Sequence, residues 1–334
     1  MSSVTILTAG DKDNGMGHVM RSLAVVKQLV RLGHKVRVVT PPATPGYERL
    51  LDELDKPDSV KYDLIGKTIT PREMTVANLN GPNAIVIDIE HGPSHDLLRA
   101  VRNSSAKIVV IGGVGFPFRD SKAVDELVDL QIFQAIRINN GVGVVSNLLY
   151  GAQYIAIDEE YVDFRRSYGV DSYGDGAMVS MGGGDPHSIG PQLADFAYSH
   201  NARPTRLVCG PAAIVTNHLR AGIEVVYRPR SLAWIMFRAA ACVTALGMTV
   251  YEAMSLGLPV ACTGWSADHQ STALELEKQG YLTYFGMWND INWSKLERWL
   301  KQIQDDDFRR QYYQRGRELI DGQGAKRIAE EIVK

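Results

Sequence analysis

The sequence predicts an α/β protein built from two doubly wound parallel sheets. Short runs of β-branched residues alternate with amphipathic helical patterns along almost the whole 334-residue chain. In each half, a glycine-rich turn follows the first strand-like run. Such alternation is typical of parallel strands covered by helices on both faces. Since 45% of the residues are hydrophobic, the chain can bury the cores of two domains.

The first half contains four strand-like runs and one clear helix. The apolar residues of the helix recur at steps of four, three and four from Val19 to Val30, and Gly33 is placed to end it. The strands are predicted at residues 4–8, 36–40, 84–88 and 108–111. Their β-branched composition favours buried parallel strands.

The second half repeats the alternation. Its strands are predicted at residues 178–181, 206–209, 224–227, 242–245 and 259–262, and its helices near 188–199, 231–240, 249–256 and 268–279. The polar, tyrosine-rich stretch 159–176 has no clear periodicity and is the predicted hinge. We therefore expect an N-terminal domain of residues 1–160 and a C-terminal domain of residues 161–334, which includes the charged terminal helices.

Composition excludes several classes of function. The net charge of −2 gives no general basic surface for nucleic acid or an anionic membrane, although a local basic patch stays possible. The apolar run 232–248 is interrupted by Arg238 and is too short to cross a bilayer. The first residues do not have the pattern of a secretion signal, so we expect a cytoplasmic protein. The three cysteines are far apart and indicate reduced thiols, and no metal-ligand spacing is present.

The most informative motif is the segment 15–22, which follows the first strand and opens a helix. Gly15 and Gly17 allow a ligand to approach the backbone, and the helix start offers free N–H groups to an anion. His18 stands where that anion would bind, and a helix N-terminus favours the uncharged imidazole. The segment therefore predicts a site that binds a phosphorylated substrate and moves a proton beside it.

A second glycine turn follows the first strand of the second half. It contains Gly182, Gly183 and Gly184, and three successive glycines cost backbone entropy unless a ligand requires them. The turn fits neither the dinucleotide fingerprint nor the P-loop pattern. A flexible surface turn is the alternative interpretation.

Two further motifs follow strands of the second half. Gly247 precedes a helix in which Thr249 is suited to hold a phosphate and Glu252 to accept hydrogen bonds from a ribose diol. The spacing of Thr249 and Glu252 is also that of a capping box, and the two roles can coexist. The pair His269 and Gln270 lies at the same predicted sheet edge, where Asp268 and His269 could equally be a solvated helix start.

The other histidines carry less information. His91 and His95 follow the strand that ends at Asp88, so they could line the ligand cleft. The rest are predicted to be ordinary surface or turn residues: His34, His187, His200 and His218.

The order of these motifs carries a resemblance to a known family. The segments that carry it are residues 15–22, 147–154, 180–186, 247–259 and 269–270. Together they resemble the UDP-diacetamido-trideoxy-altrose hydrolases of pseudaminic acid biosynthesis and their relatives in spore-coat polysaccharide operons. More broadly, they are similar to nucleotide-sugar enzymes of the GT-B fold, including the transferase that builds lipid II.

The resemblance implies two Rossmann-like domains that face a central cleft and bind a UDP-sugar between them. The C-terminal domain would hold the nucleotide, with Glu252 on the ribose and Thr249 and the glycines 182–184 on the diphosphate. His18 would be the base that activates water. The other residues implied in UDP-sugar binding are Gly15, Gly17, Arg21, Gly247 and Gln270. The family needs no metal, so neither a metal nor another cofactor is expected.

The chain departs from the family pattern around the reacting sugar. His269 stands where the family has Asn, and the Arg-x-Asp of the first strand is missing. Only Asp11 or Asp13 could then supply a carboxylate close to that strand, and the context after Asp88 is unusual. The resemblance therefore implies UDP-sugar binding more directly than hydrolysis of one particular sugar.

Three functions follow from these motifs. The first is an inverting hydrolase that cleaves the sugar C1–O bond and releases UDP. The second is a glycosyltransferase that passes the sugar to a hydroxyl of a glycan, lipid, protein or modified nucleic-acid base. Segments 41–82 and 112–145 would then line a wide acceptor cleft. The third is a non-catalytic nucleotide-sugar-binding protein.

Overall fold

The computed structural model divides the chain into two compact units. Unit 1 comprises Met1–Asp158 and Gln323–Lys334, and unit 2 comprises Glu159–Gly322. The structure describes residues 1–334 except 12–14, 57–59, 75–78, 80, 91, 103–104, 114–125, 135–146, 168, 170–173, 212, 214–218 and 230.

Unit 1 is built around a parallel sheet of seven described strands in the order β3-β2-β1-β4-β5-β6-β7. The strands are β1 Ser3–Thr8, β2 Lys35–Thr40, β3 Asp63–Gly66, β4 Ala84–Asp88, β5 Lys107–Gly112, β6 Leu130–Phe133 and β7 Leu148–Tyr150. The four predicted strands are confirmed. Because β1 pairs with both β2 and β4, the strand order reverses beside β1, which is where ligands bind in open α/β sheets.

Helices cover both faces of this sheet. They are α1 Gly17–Arg31, α2 Pro45–Leu54 and α3 His95–Arg102, with a 3₁₀ turn at Ala152–Tyr154. The apolar face of α1 packs on alternate residues of β1 and β4, such as Ile6 and Val86. The intervening residues, such as Ile85, pack with α3 on the other face. This alternation is what a strand period of two dictates.

Unit 2 repeats the topology of unit 1. Its sheet has the order β10-β9-β8-β11-β12-β13-β14, with β14 antiparallel to β13. The strands are β8 Ala177–Ser180, β9 Thr205–Cys209, β10 Ile223–Tyr227, β11 Ala241–Ala245, β12 Val260–Gly264, β13 Thr283–Met287 and β14 Asp290–Ile291. The helices are α4 Glu159–Ser167, α5 Gly190–Ser199, α6 Leu232–Phe237, α7 Met248–Leu256, α8 Ala267–Lys278, α9 Trp293–Gln302 and α10 Asp306–Leu319.

The last helix, α11 Gly324–Val333, belongs to unit 1 and not to the second half in which the sequence placed it. Its buried residues Ile328 and Ile332 join the core beneath α1. Gly324 lies against the carbonyl of Ile155 so closely that a side chain would collide with it. An amphipathic pattern shows that a helix buries one face, but it does not show which sheet the helix covers. The start of the predicted hinge, residues 159–167, is the helix α4.

Within the described part of the chain, the helices are all too short or too polar to cross a membrane. The cysteines Cys209, Cys242 and Cys262 are buried and free.

A buried ion cluster fixes the end of unit 1. Lys27, in the middle of α1, lies 2.8 Å from Glu53 of α2 and 2.8 Å from Asp158, and all three side chains are buried. Although burial raises the pKa of Glu53, contacts with Lys27 and Lys56 lower it to about 2. Lys27 therefore connects α1 and α2 with Asp158, the residue at which the chain leaves unit 1.

We expect Lys27→Ala to lower the free energy of unfolding of unit 1 by about 3–5 kcal/mol, because two buried carboxylates lose their shared cation. Lys56→Ala is the matched control, since Lys56 contacts the same Glu53 from a half-exposed position. It should cost less than about 1 kcal/mol. Urea unfolding followed by circular dichroism measures both, and equal losses would contradict the assignment.

Candidate active site

The carboxyl edge of the first sheet brings His18 and Asp88 together. His18 lies in the first turn of α1, and Asp88 is the last residue of β4, which pairs with β1. Nδ1 of His18 is 2.7 Å from Oδ1 of Asp88. The carboxylate is fully buried, whereas the His18 side chain keeps 17% of its surface exposed.

Two further side chains of α1 complete the surroundings of Asp88. Nε of Arg21 lies 2.9 Å from Oδ1 and 2.8 Å from Oδ2, and the hydroxyl of Ser22 donates to Oδ2 at 2.9 Å. Nη2 of Arg21 also contacts Oδ1. Burial alone would raise the pKa of Asp88, but the charge of Arg21 and the hydrogen bonds from His18 and Arg21 lower it to about 2. Asp88 is therefore ionised at neutral pH.

The ionised carboxylate determines the tautomer of His18. A carboxylate only accepts hydrogen bonds, so Nδ1 of His18 carries the proton and donates it to Asp88. Nη2 of Arg21 is 2.8 Å from the same nitrogen, but as a donor it bonds to the carboxylate instead. When the ring is neutral, Nε2 of His18 therefore carries the lone pair. A histidine held in this way by a buried carboxylate is suited to act as a general base.

Asp88 contacts the ring of His18, a role for which the sequence suggested Asp11 or Asp13. Asp11 forms a backbone bridge in which its carbonyl accepts from the N–H of Gly15 at 2.9 Å. Asp13 lies outside the described residues. No local pattern pairs positions 18 and 88, because their contact depends on β4 lying beside β1.

The start of α1 is open to an anion. Met16 occupies the N-cap position without a side-chain cap, and the first turn contains no acidic residue. Gly15 adopts a φ of +71°, which suits glycine, and Gly17 is the first helical residue. Backbone N–H groups at such a helix start can bind a phosphate or carboxylate.

Arg21 occupies a different position from the one implied for it. The resemblance places it among the ligand-binding residues, but its side chain is buried and directed at Asp88. Its place in the helix, three residues after His18, puts both side chains on one face of α1.

The glycine turn of unit 2 has a fixed conformation. Gly182 has a φ of +85°, and its N–H donates to the hydroxyl of Ser180 at 3.3 Å. A side chain at Gly210, after β9, would collide with the carbonyl of Gly182, so the two loops pack backbone against backbone. Asp185 ends the turn by accepting from the N–H groups of Ile189 at 3.1 Å and Gly190 at 2.7 Å. The turn that contains Gly182, Gly183 and Gly184 is therefore packed against the loop after β9 and bonded through Ser180 and Asp185.

The start of α7 adjoins this turn, because β11 pairs with β8 and the two segments follow these strands. Gly247 is the N-cap and makes no side-chain cap, so Thr249 is the second helical residue and not a cap. The capping-box interpretation is therefore wrong. Thr249 and Glu252 are both buried, with exposed fractions of 8% and 7%. The N-terminus of α7 is left available to a ligand at the switch point of the second sheet.

His269 is placed as a hydrogen-bond donor. Ser266 caps α8 by accepting from the N–H of His269 at 3.3 Å, and Nδ1 of His269 accepts from the N–H of Trp265 at 3.4 Å. Burial lowers the pKa of His269, and the charge of Asp268 opposes this only partly. The neutral ring then carries its proton on Nε2, so it can donate to a ligand oxygen but is not a base. Gln270 is exposed in the same first turn.

His187, which the sequence predicts to be an ordinary surface or turn residue, packs against two aromatic side chains. Its ring stacks on Trp288 with 3.5 Å between centroids and 3° between planes, and Trp265 lies 5.4 Å away. These residues come from the loops after β8, β12 and β13, at the carboxyl edge of the sheet. The available signal was Trp265, which lies shortly after the predicted strand 259–262. Of the other histidines, His95 begins α3, and His91 and His218 lie outside the described residues.

Comparisons with known proteins agree with this architecture. MurG of Acinetobacter baumannii superposes with a TM-score of 0.65 at 15% identity, over 100% of this chain and 99% of that one. The chain has the GT-B fold. UGT89C1 of Arabidopsis thaliana, solved with UDP, gives a TM-score of 0.64 at 14% identity over the full length of both chains. MnaA of S. aureus, also solved with UDP, gives 0.62 at 16% identity over 99% and 96%.

One curated protein with a sequence match to this GT-B chain is the spore coat polysaccharide biosynthesis protein SpsG of Bacillus subtilis (strain 168). The two are 23% identical over 343 residues, which cover 97% of this chain and 96% of SpsG. No family model matches the chain. The SpsG match confirms the resemblance to the spore-coat group that the motifs indicated, and the comparisons support an enzyme.

The role of Asp185 in fixing the glycine turn can be tested by removing its acceptor atoms. We expect Asp185→Ala to lower the free energy of unfolding of unit 2 by about 1–2 kcal/mol, as when a helix loses its capping side chain. Asp185→Asn is the matched control and should lose less, because its amide oxygen can still accept. Denaturant unfolding measures the free energy of unfolding of the two variants. Equal losses of this free energy would show that the hydrogen bonds to Ile189 and Gly190 are not what stabilises the turn.

Proposed function

We propose that the protein is an enzyme that cleaves the C1–O bond of a UDP-sugar with inversion, uses water as the nucleophile and releases UDP. The observation that carries the proposal is the His18–Asp88 pair, in which a buried ionised carboxylate leaves Nε2 of a partly exposed histidine free to accept a proton. The UDP-bound neighbours of the same fold support a UDP-sugar as the substrate.

Unit 2 would bind the nucleotide. The glycine turn 182–184 and the start of α7 offer backbone N–H groups and the positive end of a helix to the diphosphate. Thr249 would add its hydroxyl, and the carboxylate of Glu252 would accept from the ribose hydroxyls. Of the two side chains, which are both buried, only Glu252 is charged, and it would contact the ribose and not the diphosphate.

In the proposed reaction, unit 2 stabilises the leaving UDP and His18 of unit 1 activates the water. As the C1–O bond breaks, negative charge develops on UDP, and N–H groups already aimed at the diphosphate stabilise it without reorganisation. C1 becomes oxocarbenium-like and is attacked from the face opposite UDP, which inverts its configuration. Nε2 of His18 takes the proton of the attacking water. The proton on Nε2 of His269 is available to a sugar or phosphate oxygen. These groups suffice for the reaction, so we assign it no cofactor.

Transfer to an acceptor hydroxyl is the second candidate. The GT-B neighbours include glycosyltransferases, such as that of calicheamicin, with a TM-score of 0.58 at 14% identity. Water and an acceptor hydroxyl need the same base, so His18 serves either reaction. The resemblance of the Gly-x-Gly-His segment at 15–18 to the hydrolase group favours water.

The catalytic role of His18 is tested by UDP release from a panel of UDP-sugars, with and without acceptors. We expect His18→Ala to lower the rate about 10²–10⁴-fold, as loss of a general base does, and to leave UDP affinity within about twofold. His34→Ala removes a half-buried histidine whose Nδ1 accepts from the N–H of Ser2, and as the control it should leave the rate unchanged. Release that requires an acceptor would identify a transferase, and UDP binding without release from any sugar would identify a binding protein.

The nucleotide role of unit 2 is tested at Glu252. We expect Glu252→Ala to weaken UDP binding by about 1–3 kcal/mol, because a buried hydrogen-bonded charge is lost. Glu318→Ala, an exposed glutamate of α10, is the control. Calorimetric titration with UDP measures both, and equal affinities would exclude Glu252 from the nucleotide site.

A further inference from the structure

We propose that Arg21 is a positioning residue whose fixed positive charge prevents the His18–Asp88 pair from taking up an extra proton at neutral pH. This inference rests on the proposed function, in which Nε2 of His18 must be unprotonated to act as the base. It assigns to Arg21 a role other than contact with the UDP-sugar.

The buried side chain of Arg21 contacts both members of the His18–Asp88 pair. Its guanidinium is 7% exposed, contacts both oxygens of the fully buried Asp88 and lies 2.8 Å from Nδ1 of His18. Gly113, just after β5, provides the space, because a Cβ there would lie 2.6 Å from Nη1 of Arg21. A guanidinium stays charged at every physiological pH and fits a carboxylate with two parallel bonds, which a lysine does not.

The charges explain why Arg21 is needed. Asp88 contributes −1, Arg21 contributes +1, and neutral His18 contributes nothing, so the cluster as it stands is uncharged. Without Arg21, the histidine and the buried carboxylate would carry −1 between them. A buried negative pair takes up a proton at higher pH, and the protonated pair then has no free lone pair on Nε2. Removal of Arg21 therefore raises the pH below which the pair is protonated and Nε2 of His18 can no longer act as a base.

The described surroundings offer no substitute cation. The titratable groups that contact Asp88 are His18 and Arg21, both from α1. On the neighbouring strands, Thr8 of β1 pairs with Asp88, and β5 ends in an isoleucine and glycines. The next charged residue after β4 is Glu90, which is acidic.

The experiment is an NMR titration of the full-length protein labelled with ¹⁵N-histidine. The ring nitrogens of His18 are assigned by their loss in His18→Ala. We expect the midpoint of His18 protonation to rise by about one to three pH units in Arg21→Gln, the effect of losing an opposite charge at this distance. Ser22→Ala, which removes a neutral hydrogen bond to the same carboxylate, is the matched control and should move the midpoint by less than about half a unit.

Two further variants keep the test decisive if Arg21→Gln does not fold. Arg21→Lys retains the charge and should keep the midpoint near that of the parent protein. Gly113→Ala pushes the guanidinium away from Asp88 and should raise the midpoint. An unchanged midpoint in Arg21→Gln, or in Gly113→Ala where only that variant folds, would overturn the inference and leave Arg21 a structural residue or a ligand contact.

Activity separates this inference from the proposed function. In the parent protein and in Arg21→Gln, the acid limb of UDP release should move with the NMR midpoint. A shifted midpoint in a protein that releases no UDP at any pH would support the role of Arg21 and refute the proposed function. If Arg21→Gln releases UDP and neither the acid limb of its rate nor the midpoint of His18 protonation is shifted, the role of Arg21 is refuted and the proposed function is not.

Discussion

The buried carboxylate of Asp88 is the constraint on which the first half of this protein depends. An ionised carboxylate without exposure to water is costly unless several donors surround it. Among the residues that the structure describes, its side-chain donors come from one face of α1, at His18, Arg21 and Ser22. The helix can satisfy the carboxylate only when its first turn lies over the gap between β1 and β4. The same contacts therefore hold the helix in place and prepare the histidine as a base.

The second half uses the same topology for a different chemistry. There the switch point lies between β8 and β11, and the groups beside it are backbone N–H groups of the glycine turn and of α7. Close packing of Gly210 against Gly182 fixes that backbone, so the donors are preorganised without charged side chains. In the proposed function, the first domain supplies the base and the second supplies N–H groups that bind an anion.

Local features of the sequence predicted the strands and the motifs that follow them, because hydrophobic period, glycine turns and helix starts are encoded within a few residues. Long-range features were not predictable in the same way. The contact of His18 with Asp88 depends on strand order, and the return of α11 to unit 1 depends on which sheet its apolar face covers. The short strands β13 and β14 escaped notice because their residues do not alternate clearly. The contact of Arg21 with Asp88 was not predictable either, because the spacing along the helix gives the face of Arg21 but not its partner.

The most direct test of the account is the fate of ¹⁸O when the protein acts on its UDP-sugar in H₂¹⁸O, read by NMR of the sugar and mass spectrometry of both products. The account predicts the label on C1 of the free sugar, with inverted configuration and no need for an acceptor. Label in the phosphate of UDP would mean that the P–O bond breaks, and release that waits for an acceptor would mean transfer. Either result would contradict the assignment of His18 as the base that activates water at C1.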